Sequence, residues 1–206
     1  NLQLSLTVGI HPTRCTEFVD DEQLMMHKLS QIIEQNRDLV VAVGEIGLDY
    51  DRTQFCDIPT QLSGFEQQFE LARKFDLPLF LHHRSAGADF YSILEKHVGE
   101  FKCAVVHTYD DSWELAEKLL ALKPRATAEK FGEIFFGING CSMRTEANLE
   151  TIAKLPLESI LLETDSPWCD IRPSHASFKY LNNLNNTSAT SNKVFGGNSG
   201  GGGNVG

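Results

Sequence analysis

The sequence contains no apolar run long enough to span a bilayer and no recognisable signal peptide, so neither a membrane helix nor a secretory leader is expected. It also lacks any CxxC pair. Its five cysteines (Cys15, Cys56, Cys103, Cys141 and Cys169) are scattered and odd in number. That pattern speaks against a disulfide framework and suits reduced thiols in an intracellular protein, cytoplasmic or nuclear. Positive charge is scarce too. Eighteen Lys and Arg stand against 28 Asp and Glu in 206 residues, a formal net charge of -10, which excludes a broad basic face for nucleic acid. A nucleic-acid enzyme survives that test, because a bound cation supplies positive charge locally. Nothing in the sequence indicates an obligate protein partner.

What is present is a rhythm of short apolar runs alternating with amphipathic stretches. Val40-Val41-Ala42-Val43-Gly44-Glu45 is an apolar, β-branched run that ends in a carboxylate held between Gly44 and Gly47. It reads as a strand buried on both faces. A buried unpaired carboxylate costs several kcal/mol, so Glu45 either faces a cation at the strand's end or sits in a buried ion pair, for instance with Arg84. Leu4 to Pro12, Leu77 to Arg84, Cys103 to His107, Glu133 to Gly140 and Ser159 to Pro167 read as five further strands. Between them lie helical patterns over Glu22 to Asn36 and around Leu62 to Ala72, Phe90 to Leu94, Trp113 to Leu120 and Leu149 to Ile152, the last with Thr145 as N-cap. His27 and His97 fall on helices as surface or packing residues, and His83 points away from its neighbour His82 by strand alternation. Strand and helix alternating at this pace imply parallel strands with crossover helices, in an open doubly wound sheet or a closed (β/α)8 barrel. Residues 123–130 read as a solvated loop before the fifth strand. The last 25 residues hold seven Asn and seven Gly, a composition expected to be disordered.

The candidate chemistry lies at the strand ends. Glu45, His82, His107 and Asp165 each close a strand, spaced by one, one and two β-α units. In parallel α/β folds these carboxyl ends share the face where loops build the active site. One histidine at such a position is commonly a hydrogen-bonded rim residue. Two imidazoles and two carboxylates at one level make a nitrogen and oxygen ligand set suited to Zn, Mn or Mg.

The same residues carry a family resemblance. Gly9-Ile10-His11-Pro12, Gly44-Glu45-Ile46-Gly47-Leu48-Asp49-Tyr50, Leu81-His82-His83-Arg84, Val106-His107 and Glu163-Thr164-Asp165-Ser166-Pro167-Trp168 resemble, in order, the motifs of the TatD-type deoxyribonucleases. Gly140-Cys141-Ser142-Met143-Arg144-Thr145-Glu146-Ala147-Asn148-Leu149 is close to the eukaryotic branch of that family. The resemblance implies a metal-dependent TIM-barrel phosphodiesterase that removes nucleotides from DNA ends and prefers single strands. It implies one or two divalent ions (Mg, Mn or Zn) on Glu45, His82, His107 and Asp165. Glu45 would bridge cations, and Asp165 would also accept a proton from the attacking water. His11, Arg84 and His175 become candidates to hold substrate phosphate, Arg84 in bidentate fashion.

Two departures stand out. After the fourth strand the chain runs His107-Thr108-Tyr109-Asp110-Asp111, without the family's usual small glycine, which places a negative Asp110 near the phosphate path. The barrel is also incomplete. About six of eight strands are expected over residues 1–181, with two strands belonging before Leu2 and a closing helix after Tyr180. Two other readings of the same residues stay open, a related metal hydrolase acting on another ester or amide bond and a truncated copy without catalysis.

Overall fold

The computed structural model describes residues 3–125 and 132–181. The loop expected over 123–130 lies outside that range beyond Arg125, as does the tail expected from 182 onward. Six strands, β1 (Leu6–Val8), β2 (Val40–Asp49), β3 (Leu79–Arg84), β4 (Ala104–Val106), β5 (Ile134–Ile138) and β6 (Ile160–Leu162), form one parallel sheet. Their spatial order is their sequence order. A doubly wound sheet reverses direction at a switch point; this one does not. Right-handed crossovers without reversal carry every helix to the same side, the winding of a β/α barrel. Among the described residues β1 and β6 each pair on one side only.

The helices follow from local signals. α1 (Glu22–Gln35) is capped by Asp21, α5 (Trp113–Ala121) by Ser112, and α6 (Glu146–Lys154) by Thr145 in a reciprocal box with Asn148. α4 (Gly87–Lys96) packs Phe90, Ile93 and Leu94 inward. Beneath the sheet the buried rings of Phe65, Phe69, Phe90 and Phe101 meet, with Phe65 stacked on Phe90 at 5.7 Å. His97 ends α4 and stacks on Phe69 at 4.5 Å, and His27 is exposed on α1.

Beyond β6, which ends at Leu162 and leaves Asp165 in the following loop, two elements differ from the sequence pattern. The single helix expected around Leu62 to Ala72 is two, α2 (Ile58–Gln67) and α3 (Phe69–Phe75). The break falls at Gln68, whose buried amide accepts from the Ile10 N–H at 2.6 Å and donates to the Ile10 and Gly64 carbonyls. After β1 the chain turns at His11 into a short 3-10 helix, Pro12–Phe18.

The second difference matters more. β2 does not stop at Glu45 but runs on to Asp49. Gly44 pairs with Phe80 and Ile46 with Leu81, so Glu45 is an extra residue opposite no partner. Such a bulge bends a strand and re-aims a side chain. Beyond it, Gly47 lies at φ +145 against His82, and a Cβ there would stand 1.9 Å from the His82 carbonyl oxygen. Gly47→Ala is therefore expected to cost about 3 kcal/mol and lower Tm by roughly 10 °C. Circular dichroism melting checks this; an unchanged Tm would show that β2 and β3 do not need this close approach.

Candidate active site

The bulge delivers Glu45 into a ring of imidazoles. His82 Nδ1 and His107 Nε2 each lie 2.7 Å from the same carboxylate oxygen, Oε1, and His11 Nε2 lies 3.6 Å from it. Both closer nitrogens crowd one another at 3.4 Å. Burial pushes the Glu45 carboxyl up, but hydrogen bonds and charge from His107 and His82 outweigh it and hold the group well below the usual carboxylate range.

Each histidine is gripped at its far nitrogen. His82 Nε2 meets Asp49 Oδ2 at 3.2 Å, and Asp49 is fully buried. Asp49 is in turn fixed by Gln61, which accepts from its N–H at 2.8 Å and donates to its carbonyl at 2.9 Å. With a carboxylate at both ring nitrogens, His82 retains two N–H donors. Burial lowers its pKa, but the hydrogen bonds to Asp49 and Glu45 raise it further, for a net rise above 6.5. His107 Nδ1 bonds Thr108 Oγ1 at 3.0 Å. Thr108 sits under Glu163 Oε1, which also accepts from the Thr108 and Asn139 N–H groups. Gly137 leaves the room this carboxylate occupies. Partners of this kind orient metal-binding histidines.

His11 is wired differently. Its Nδ1 accepts from the Thr13 N–H at 3.2 Å, so the neutral ring carries its proton on Nε2, facing the cluster. Burial, then the neighbouring His82, lowers its pKa to about 4. His11 thus presents a hydrogen-bond donor to the cluster from a neutral ring.

A cavity of about 510 Å³ opens over the cluster, and all seven residues singled out by sequence line it: His11, Glu45, His82, Arg84, His107, Asp165 and His175. Three of the four candidate ligands, Glu45, His82 and His107, are in mutual contact. Asp165 stands apart on the wall, where its Oδ2 accepts from the Cys169 thiol at 3.6 Å. Burial, with Cys141 and Asp165 alongside, pushes that thiol up to about 12 and keeps it a donor. Arg84 faces not Glu45 but Asp51 at 4.0 Å and Asp110 at 3.9 Å. His175 leaves Nδ1 buried without a hydrogen-bond partner. His83 turns onto Phe90, at 4.8 Å between ring centroids. All five cysteines are free.

The donor set suits a divalent cation. Once deprotonated, the His82 and His107 nitrogens, 3.4 Å apart, would gather with Glu45 Oε1 around one point, and His11, Glu45 and His82 carry ligand-type atoms all within 4.8 Å of one another. Sequence reading missed Asp49, Gln61 and Glu163. Asp49 and Glu163 were inside motifs already quoted, two or four residues from a chosen carboxylate and hence on the same side of an extended chain.

Fold and site together define a class: a parallel β/α protein with a histidine and carboxylate cluster at the carboxyl ends of its strands. The family model described as TatD related DNase matches residues 1–194, and the chain belongs to that family. It is 40% identical over 181 residues to "Deoxyribonuclease Tat-D" of Schizosaccharomyces pombe, covering 85% of this chain and 55% of that protein. Against the "3'-5' ssDNA/RNA exonuclease TatD" of Erwinia tasmaniensis it is 34% identical over 173 residues, covering 81% and 61%. The crystal structure of an uncharacterized amidohydrolase from Saccharomyces cerevisiae superposes with a TM-score of 0.78 at 33% identity, over 92% of this chain and 63% of that one. The chain thus spans little more than half the length of these relatives, and its six strands form an incomplete barrel of their type.

His82 sets a pH dependence. Its folded pKa lies above 6.5, so the stability it contributes is full below pH 6.5 and is lost as pH rises through the folded value. In chelator, the urea midpoint of the native chain should exceed that of His82→Gln most at pH 6. The gap should shrink by pH 9, and a gap that widens would contradict the doubly bonded imidazolium.

Proposed function

We propose that this chain carries the catalytic centre of a metal-dependent deoxyribonuclease that hydrolyses phosphodiester bonds at the ends of single strands. The observation that supports it most is the convergence of His82 and His107 on one Glu45 oxygen beneath an arginine-lined cavity. Arg52, Arg84, Arg144 and Arg172 line that cavity, four of the eight arginines in the sequence, while no lysine among the described residues does. Planar, bidentate donors without lysine are the choice for phosphate oxygens.

Glu45, His82, His107 and Asp165 would hold the cation or cations, with Mg, Mn and Zn all compatible with mixed nitrogen and oxygen donors. When bound, such a cation lowers the pKa of water and polarises the phosphoryl oxygens. The chain's own residues do the rest. Asp165, in the wall of the same cavity, accepts the proton of the attacking water. His11 Nε2–H and Arg84 hold the scissile phosphate, with His175 reaching a neighbouring oxygen. The single-strand, exonucleolytic reading draws on the printed name of the Erwinia relative. No helix among the described residues is long and apolar enough to cross a membrane, and the five free thiols suit a reducing compartment such as cytoplasm or nucleus.

Metal-stimulated nucleotide release from a single-stranded oligonucleotide tests the reading. Glu45→Gln and Asp165→Asn should each slow it by about a hundred-fold or more. Unchanged release would overturn the assignment. Faster turnover of ester or amide substrates than of DNA would move the same site to another hydrolase reaction.

A further inference from the structure

The cavity wall is almost wholly charged or polar, with one exception. Trp168 lines it and is, among the described residues, the sole tryptophan, tyrosine or phenylalanine to do so. The residue is 71% exposed. The other tryptophan, Trp113, packs against the core and carries Lys154 Nζ 5.9 Å above its ring. Among the described residues no aromatic ring or cation covers Trp168. A side chain of this type normally buries about 150–250 Å², so an open indole on a cleft wall leaves a flat apolar face for a ligand to cover.

The backbone fixes where that surface stands. The Trp168 N–H donates to the Asp165 carbonyl at 2.7 Å, closing a turn that starts at the candidate ligand. Arg144 and Arg172, both exposed, line the same cavity. The cavity therefore offers one flat apolar face and guanidinium groups around the proposed phosphate-cleaving site. A nucleotide has the matching parts, a flat base and a charged phosphate. A base inside a duplex has both faces covered and a paired base at a duplex end has only its outer face open, whereas an unpaired terminal base can turn either face to the indole.

We propose that Trp168 is a base-stacking platform that selects single-stranded ends by receiving an unpaired nucleobase while the arginines take the adjoining phosphates. Stacking tolerates every base, because each has a π-face, so the platform reads strandedness without reading sequence. This rests on the nuclease reading and adds to it the element of substrate that sets the preference.

The test compares two probes in EDTA, where hydrolysis is blocked: an eight-nucleotide oligothymidylate and a backbone of the same length built from abasic tetrahydrofuran units. Fluorescence anisotropy gives the affinity of the native chain, Trp168→Ala and Trp168→Phe for each. Trp168→Ala should weaken oligothymidylate binding by about ten-fold and leave the abasic probe unchanged. Trp168→Phe should stay within about three-fold of the native chain on both. The exposed position makes a folding defect easy to recognise, since the circular dichroism melt of both variants should match the native one. Equal oligothymidylate affinity for the native chain and Trp168→Ala overturns the platform and leaves the nuclease reading intact, as does an equal loss on both probes. A native chain that binds neither probe overturns both readings together.

Discussion

One negative charge governs this molecule. Glu45 sits within a parallel strand flanked by apolar residues, where an uncompensated carboxylate is too costly to keep. The chain answers with a bulge that aims the side chain toward the strand ends and with two imidazoles brought to a single oxygen. Each imidazole then needs its own far nitrogen satisfied, which is the role of Asp49 for His82 and of Thr108 for His107. Asp49 is itself buried and held by Gln61 from α2, and Thr108 is held by Glu163 and Asn139 from beyond β5. The demand of one carboxylate therefore spreads through β2, β3, β4 and the segments after β5 and β6. Few of its members are replaceable without leaving another polar group buried and unpaired.

The distribution of positive charge is the second organising feature. A chain with net charge -10 would repel a polyanion at long range. Half of its arginines nevertheless line one cavity, where Arg52 pairs with Asp49 and Arg84 with Asp51 and Asp110. Glu45, Asp165 and Asp170 line the same cavity, so its charges are mixed and locally placed. On the proposed nuclease reading, discrete guanidinium groups of this kind would suit a strand end better than the length of a duplex.

The strands, most helices and the gathering of Glu45, His82 and His107 on one face were readable because each rests on a local pattern: an apolar run, a capping residue, a titratable group near the end of a strand. The bulge at Glu45 was not. An extra residue changes which neighbour each side chain opposes, and register belongs to the pair of strands and not to either sequence alone. The apolar run therefore looked finished at Glu45, although the strand continues to Asp49. The break between α2 and α3 was hidden for a related reason: Gln68 is an ordinary helix residue until its amide is seen to bond the Ile10 backbone, 58 positions away. Asp49 and Glu163 stood in plain view, but a carboxylate that supports a histidine and one that binds a cation are the same letter in a sequence. Only distance separates those roles.

His82, clasped between two carboxylates, has a further consequence. To offer its Nδ1 lone pair to a cation, the ring would first have to surrender the proton it shares with Glu45. On the proposed metal-site reading the centre would work as an ion exchanger, trading hydrogen ions for metal ions: acid would empty it, and mild alkalinity or a richer supply of cations would fill it. A site built this way would act as a gauge of its ionic surroundings before acting on any substrate.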